Sequence, residues 1–258
     1  MSVTIKSASE IEKMRKSNRL LQDVFAGLRD MIRPGISTME INEEADRIVR
    51  SLGGVPNFLH YGGYPATVCT SVNEEVVHGI PSEKKILQEG DIISLDMGLI
   101  YDGYHSDAAR TFAVGEISPE AQKLIDVTRQ SFFEGMKFAK VGCHLHEISA
   151  AIGNYCESFG YGVVRDLVGH GIGTKLHEDP QIPNYAQKNK GICLQPGMTL
   201  AVEPMITAGT YKVRWLDDNW TVVTADGSLA AHYENTILIT EGEPEILTLS
   251  AQEAGERV

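Results

Sequence analysis

Five residues spread along the chain, Asp96, Asp107, His170, Glu203 and Glu234, are of types that can hold divalent metal ions together. Four carboxylates and one imidazole make a hard-to-borderline donor set, suited to manganese, iron, cobalt or zinc rather than to a metal that prefers thiolates. The setting of the acids sharpens this reading. Asp96 follows Ile92-Ile93-Ser94-Leu95, Glu203 follows Leu200-Ala201-Val202, and Glu234 precedes Thr236-Ile237-Leu238-Ile239. An ionised carboxylate in such an apolar strand is costly unless a cation or a set of hydrogen-bond donors satisfies it. Taken singly, each acid could equally be a strand-end residue facing water; taken together, they read as one dinuclear metal site.

These residues need strands that aim them at one another. Asp102-Gly103 is a two-residue hairpin signal between apolar segments. Folding about it sets Gly98 opposite Asp107 and Asp96 opposite Ala109. The two aspartates then share one face of the sheet as diagonal neighbours, about 7–8 Å apart. A slip of one residue would turn one of them away. Asp226-Gly227 predicts the same device in the second half, with Glu234 on the returning strand. His170 enters through Gly169-His170-Gly171-Ile172-Gly173, whose glycines let the backbone come close to the site.

Helices frame these strands. Ser9 through Glu12 has the capping-box pattern, and a helical period carries Leu20, Leu21, Val24, Leu28 and Met31 up to Pro34-Gly35. A second box at Ser37 to Glu40 opens a helix that closes at Gly53-Gly54. Strand-like segments follow at residues 66–72 and 91–100. Ser118-Pro119 starts a third helix running to about Lys140, and a fourth carries Ile148, Ile152, Tyr155 and Phe159. A shift of 107 residues maps Gly35 on Gly142, Glu40 on Glu147, Ile41 on Ile148, Gly53 on Gly160, Gly90 on Gly197 and Asp96 on Glu203. Because the matches fall at helix breaks and strand starts, they predict a duplicated helix–helix–strand unit. The expected fold class is α+β: two pseudo-symmetric halves, about 9–115 and 116–240, with antiparallel sheet around a central dinuclear metal site, all within one domain spanning 1–258.

The bulk numbers agree with an ordinary globule, 42% hydrophobic and 22% charged. A net charge of −12 without a basic run argues against DNA or another phosphate-tracking partner. No apolar stretch is long enough for a membrane span, and no signal-peptide core opens the chain. Cys69, Cys143, Cys156 and Cys193 form no CxxC pair and read as reduced thiols of a cytoplasmic protein.

With the ligands placed, nearly the whole chain resembles the type I methionine aminopeptidases of the pita-bread fold. The resemblance is carried by Val77-His78-Gly79-Ile80-Pro81, by Asp96-Met97-Gly98 with Ser106-Asp107, and by the run from Gly169 to Gly173. It continues in His177-Glu178, Val202-Glu203-Pro204-Met205 and His232-Tyr233-Glu234-Asn235-Thr236. It implies removal of the initiator methionine from nascent polypeptides, with a preference for a small second residue. It also implies two divalent ions (Co, Mn, Fe or Zn) on the five ligands, bridged by Asp107 and Glu234. A water bridging the ions would be the nucleophile, and Glu203 the general base and acid. His177 would bond the scissile amide, and His78 the peptide or the tetrahedral intermediate. Tyr61, Tyr64, Cys69, Phe58 and Trp220 would line the methionine pocket, with Leu176 nearby; ordinary core packing is the alternative for each. A monomer is expected, and docking on the ribosome, a transient contact, is left open. The short interval between Glu203 and Glu234 leaves no room for the subdomain that type II enzymes insert. The chain departs from the commonest bacterial pattern at Phe58 (cysteine), Gly62 (histidine), Leu176 (phenylalanine) and Gly98 (threonine or serine), which bears on second-residue tolerance.

Two groups resemble sites without being read as such. Cys143-His144-Leu145-His146-Glu147 falls at a helix start by the repeat register, and His60 and His105 lack partners at any ligand spacing. The rival readings are an X-Pro aminopeptidase, prolidase or creatinase-like hydrolase of the same fold, and a metal-free pita-bread protein that binds peptides.

Overall fold

The computed structural model describes residues 3–255 of the chain. Helix α1 (Ala8–Arg29) begins one box earlier than the sequence suggested: Ser7 is its N-cap, and the Glu10 carboxylate accepts from the Ser7 N–H and hydroxyl at 2.8 and 2.7 Å. Both Ser7/Glu10 and Ser9/Glu12 fit the local pattern. Tertiary structure decides between them, because the Tyr104 hydroxyl donates to Glu10 at 2.9 Å. Helix α2 (Thr38–Ser51) is capped by Ser37 and Glu40 as read. Helix α3 (Pro119–Met136) is capped by the Ser118 hydroxyl, accepting from Ala121 N–H, and stops four residues before Lys140. Helix α4 (Leu145–Ser158) follows, and a short α5 (Ala251–Gly255) comes last.

The strands are β1 (Val55–Pro56), β2 (Val68–Val72), β3 (Glu75–Val77), β4 (Ile92–Tyr101), β5 (Tyr104–Ala113), β6 (Gly162–Val163), β7 (Gly169–Gly171), β8 (Glu178–Ile182) and β9 (Thr199–Val202). They continue with β10 (Met205–Thr207), β11 (Val213–Trp215), β12 (Val222–Thr224), β13 (Ala230–His232), β14 (Glu234–Leu238) and β15 (Glu245–Ile246). Among the described residues the main sheet runs β1-β4-β5-β14-β9-β7-β8, with β2 also on β4 and β15 on β14. Every pairing in it is antiparallel. Strand β14 lies between β5 and β9, so it joins the first half of the chain to the second.

The repeat is written in the backbone. Helices α2 and α4 have the same 14-residue length and the same 107-residue offset. Gly35 and Gly142 sit at φ 89° and 90°, Gly53 and Gly160 at 77° and 82°, and Gly90 and Gly197 at 90° and 85°. A hydrogen bond from Leu87 N to Ile36 O, 2.8 Å, recurs from Leu194 N to Cys143 O at 2.8 Å. Each half packs its own core against one face of the sheet. Leu21, Val24, Ile41 and Val49 of α1 and α2 meet Ile93, Leu95 and Met97, while Phe132, Ile148 and Ile152 of α3 and α4 meet Leu200, Val202 and Ile237.

The second hairpin differs from the expectation. Asp226-Gly227 does turn the chain, but β12 and β13 on either side pair with β3 and β11 and with β10, not with each other. The returning strand that pairs with β9 is β14, reached only after this excursion.

Candidate metal centre

The five sequence-selected ligands converge where β4, β5, β14, β9 and β7 lie side by side. The β4–β5 register sets Asp96 opposite Ala109 and Gly98 opposite Asp107, so both aspartates face the same side. Glu234 opens β14 opposite Ala109, Glu203 follows the last residue of β9, and His170 on β7 pairs with Ala201. Glycine flanks His170 for a steric reason. A Cβ at Gly169 would stand 2.4 Å from the Ala201 carbonyl oxygen, and one at Gly171 would stand 2.2 Å from that of Asp179.

Donor atoms of Asp107, His170 and Glu234 all lie within 4.8 Å of one another. His170 Nε2 is 3.6 Å from Asp107 Oδ2 and 3.7 Å from Glu203 Oε1. Its Nδ1 lies 2.9 Å from the Gly171 carbonyl oxygen. A proton on Nδ1 is therefore bonded, and Nε2 presents its lone pair to the acids, the tautomer a metal ligand needs. Burial holds His170 down at about 4, so the ring is neutral at neutral pH.

Burial pushes all four carboxyls well above their usual range. Asp96 is raised further by Asp107, Glu203 by Asp96 and Asp107, and Glu234 by Asp107, Glu203 and Asp96. Asp96 Oδ1, Asp107 Oδ1 and Glu234 Oε1 are buried without a hydrogen-bond partner. Unpartnered carboxylate oxygens crowded together in a protein interior are what divalent cations would offset, and the oxygen-rich donor set with one imidazole fits them.

Above the ligands lies a cavity of about 190 Å³, lined by Phe58, Tyr61, Gly62, Tyr64, Cys69, His78, Leu176, His177 and Trp220 together with the five ligands. Every pocket residue expected from the sequence is in this lining. The Tyr61 hydroxyl stands 2.7 Å from His177 Nδ1, and the His177 and His170 ring centroids are 4.2 Å apart. Tyr64 meets Trp220 edge-on at 5.1 Å and donates its hydroxyl to Gly79 O at 2.9 Å. His78 is held at a left-handed φ of 60°. Burial lowers His78 and His177 to about 4, each helped by a neighbouring imidazole. Burial, then Asp96, drives the Cys69 thiol well up. A larger groove of about 950 Å³ runs between α3, α4 and residues 243–249, but it lies on the outer face and gathers none of these ligands.

The sequence reading passed over His232, which is 1% exposed on β13 with its Nε2 3.8 Å from Glu203 Oε2. Its spacing of two from Glu234 was the available signal, since alternate residues of an extended chain share a face. The other histidines behave as read: His144 is the N-cap of α4, His60 lies exposed beside a turn, and His105 sits within β5 beside Asn57. The four cysteines are free. Among the described residues, no helix is long and apolar enough to cross a membrane.

Residues 12–241 match the model of metallopeptidase family M24. The chain is 53% identical to the methionine aminopeptidase of Clostridium acetobutylicum over 247 residues, covering 96% of this chain and 99% of that one. It is 48% identical to methionine aminopeptidase 1 of Bacillus subtilis over 246 residues, covering 95% and 99%. Its fold superposes on the crystal structure of the methionine aminopeptidase from Thermotoga maritima with a TM-score of 0.94 at 45% identity, covering 96% and 100%.

Proposed function

The chain belongs to metallopeptidase family M24, among its methionine aminopeptidases, and from that premise we propose that it hydrolyses the initiator methionine from nascent polypeptides, preferring a small second residue. The observation that carries the reading is a ring of buried, unpartnered acids at the floor of a small aromatic cavity. In this reading the catalytic domain is single, spans 1–258 and is built of halves 9–115 and 116–240. It acts as a monomer in the cytoplasm.

Asp96, Asp107, His170, Glu203 and Glu234 would hold two divalent ions (Co, Mn, Fe or Zn). The chemistry such ions supply when bound is polarisation of the scissile carbonyl and acidification of the attacking water. The remaining work falls to the chain. Glu203, at the floor of the cavity among the other acids, takes the proton of the water and passes it to the leaving amine. His177 is neutral, and a Tyr61 hydroxyl donating to its Nδ1 leaves the proton on Nε2, free to bond the scissile amide. His78, fixed by its backbone at the cavity wall, bonds the peptide or the tetrahedral intermediate.

Selectivity follows from the lining. Phe58, Tyr61, Tyr64 and Trp220 offer aromatic surface, and Cys69 adds a polarisable sulfur. A thioether gains about 0.3–1.5 kcal/mol from each aromatic contact, and an unbranched side chain fits a narrow cavity that a branched one would strain.

The test is hydrolysis of Met-Ala-Ser, Met-Lys-Ser, Leu-Ala-Ser and Ala-Pro-Ser by the manganese-reconstituted protein, each repeated with Glu203→Gln. Methionine released from the first peptide alone, and lost in the variant, supports the proposal. Cleavage of Ala-Pro-Ser instead would move the protein to the X-Pro branch, and no cleavage at all would favour a peptide-binding role.

A further inference from the structure

His232 is buried beside the acids yet is absent from the cavity lining. Neither of its ring nitrogens has a hydrogen-bond partner. Leaving a buried donor or acceptor unpaired costs about 1–3 kcal/mol, so an apolar residue would serve a purely packing role better. The position is also rigid. Thr111 Oγ1 accepts from the His232 N–H and donates to its carbonyl, both at 2.9 Å, and His232 pairs with Met205 across β10 and β13. With the backbone pinned on two sides, the ring has little freedom to swing away. It points Nε2 at Glu203 Oε2, 3.8 Å off, and at Glu234 Oε2, 4.0 Å off. On the opposite side, His170 Nε2 faces Glu203 Oε1. The Glu203 carboxylate therefore stands between two imidazoles, one presenting a lone pair and the other able to present a proton.

We propose that His232 is a positioning residue for the reaction, its Nε2–H donating to Glu203 Oε2 and fixing the orientation in which Glu203 exchanges a proton with the attacking water. The inference rests on Glu203 being the proton carrier. Closing the gap takes a side-chain adjustment of about 1 Å to reach ordinary hydrogen-bond length. Because His232 does not touch the cavity, it acts on turnover and leaves peptide binding alone.

The experiment uses the full chain loaded with manganese and Met-Ala-Ser as substrate. It compares His232→Gln, which keeps a donor, with His232→Met, which has similar bulk and none. For His232→Met, kcat is expected to fall about 10–100-fold, the range found when a partner of a metal-site ligand is removed, with KM within about twofold. Manganese per chain, measured after desalting, should match the parent, and His232→Gln should recover most of kcat. A folded His232→Met protein with parental kcat overturns the proposal. So does one that loses manganese, which would make His232 a residue for retaining the metal rather than for orienting Glu203, or a glutamine variant as slow as the methionine one. If His232→Met does not fold, nitrogen-15 NMR of the parent decides: a proton on Nε2 is expected, and a proton on Nδ1 alone refutes the bond. Glu203→Gln run in parallel separates the two levels. An active Glu203→Gln removes the premise, whereas an inactive one beside a fully active His232→Met overturns only the role of His232.

Discussion

Chelating the metal ions is expected to leave a protein whose stability falls as pH rises, and the reason is the crowd of buried acids. In the metal-free site, burial and mutual repulsion hold Asp96, Asp107, Glu203 and Glu234 above their usual range. A carboxyl that keeps its proton longer in the folded chain than in the unfolded one lends stability below its unfolded value. It loses that contribution as pH climbs through its folded value. Each retained proton gives a slope of about 1.4 kcal/mol per pH unit, or about 3–6 °C in Tm for a chain of this size. The imidazoles around the site work the other way. His78, His170 and His177, held at about 4, and His232, at about 3, lend stability above their ordinary value of 6.5 and lose it as pH falls. Between about pH 7 and 8 those rings are mostly neutral in both states, so a carboxyl that still holds its proton in the folded chain is the main source of slope. Manganese at about a hundred times its dissociation constant should add about 2.7 kcal/mol, or about 5–10 °C, and flatten the slope by displacing the protons. Thermal melts across this window, with chelator and with manganese, read both effects. Glu234→Gln removes one buried acid, so its metal-free slope should be shallower and its gain from manganese smaller. A metal-free Tm that stays flat or rises from pH 7 to 8, or an unchanged slope in Glu234→Gln, would refute the reasoning.

Other outcomes follow from single contacts. Gly98→Ser should cost on the order of 3 kcal/mol in a denaturant melt, since a Cβ there would stand 2.0 Å from the Ser106 carbonyl oxygen and 2.6 Å from the Asn57 amide. Tyr61→Phe removes the hydroxyl beside His177 from a half-exposed side chain; kcat/KM should drop while stability stays within about 0.5 kcal/mol of the parent, as paired kinetics and melts would show. Iodoacetamide on the native protein should label exposed Cys193 first and spare buried Cys69 and Cys156, whose thiols burial pushes well up and to about 12 respectively; peptide mapping by mass spectrometry gives the order.

Much of the site was legible because it is written in local geometry. The turn at Asp102-Gly103 and the two-residue period of a strand suffice to put Asp96 and Asp107 on one face, and the register came out residue for residue. The repeat was legible for a similar reason: its matched glycines are left-handed positions that few other residues fill. What escaped depends on distant partners. Ser7 rather than Ser9 caps α1 because Tyr104 reaches Glu10 from another element. Asp226-Gly227 is a genuine turn, but nothing near it says that its flanking strands pair elsewhere. His232 drew no role from the sequence because only the folded sheet reveals that neither ring nitrogen is satisfied.

The place of β14 between β5 and β9 has a consequence for how the protein is made. While the chain is being synthesised, β5 leaves the ribosome long before its neighbour: Thr236 bonds the backbone of Asp107, 129 residues earlier. Until then β5 presents an open edge, and Asp96 and Asp107 lack most of the companions that would share a cation. Lys6 waits in the same way for Glu178, 172 residues further on, to complete its ion pair. A chain stopped anywhere before Glu234 lacks one of the clustered acids and carries an exposed strand edge. Such a truncated product is an aggregation hazard rather than a weaker enzyme.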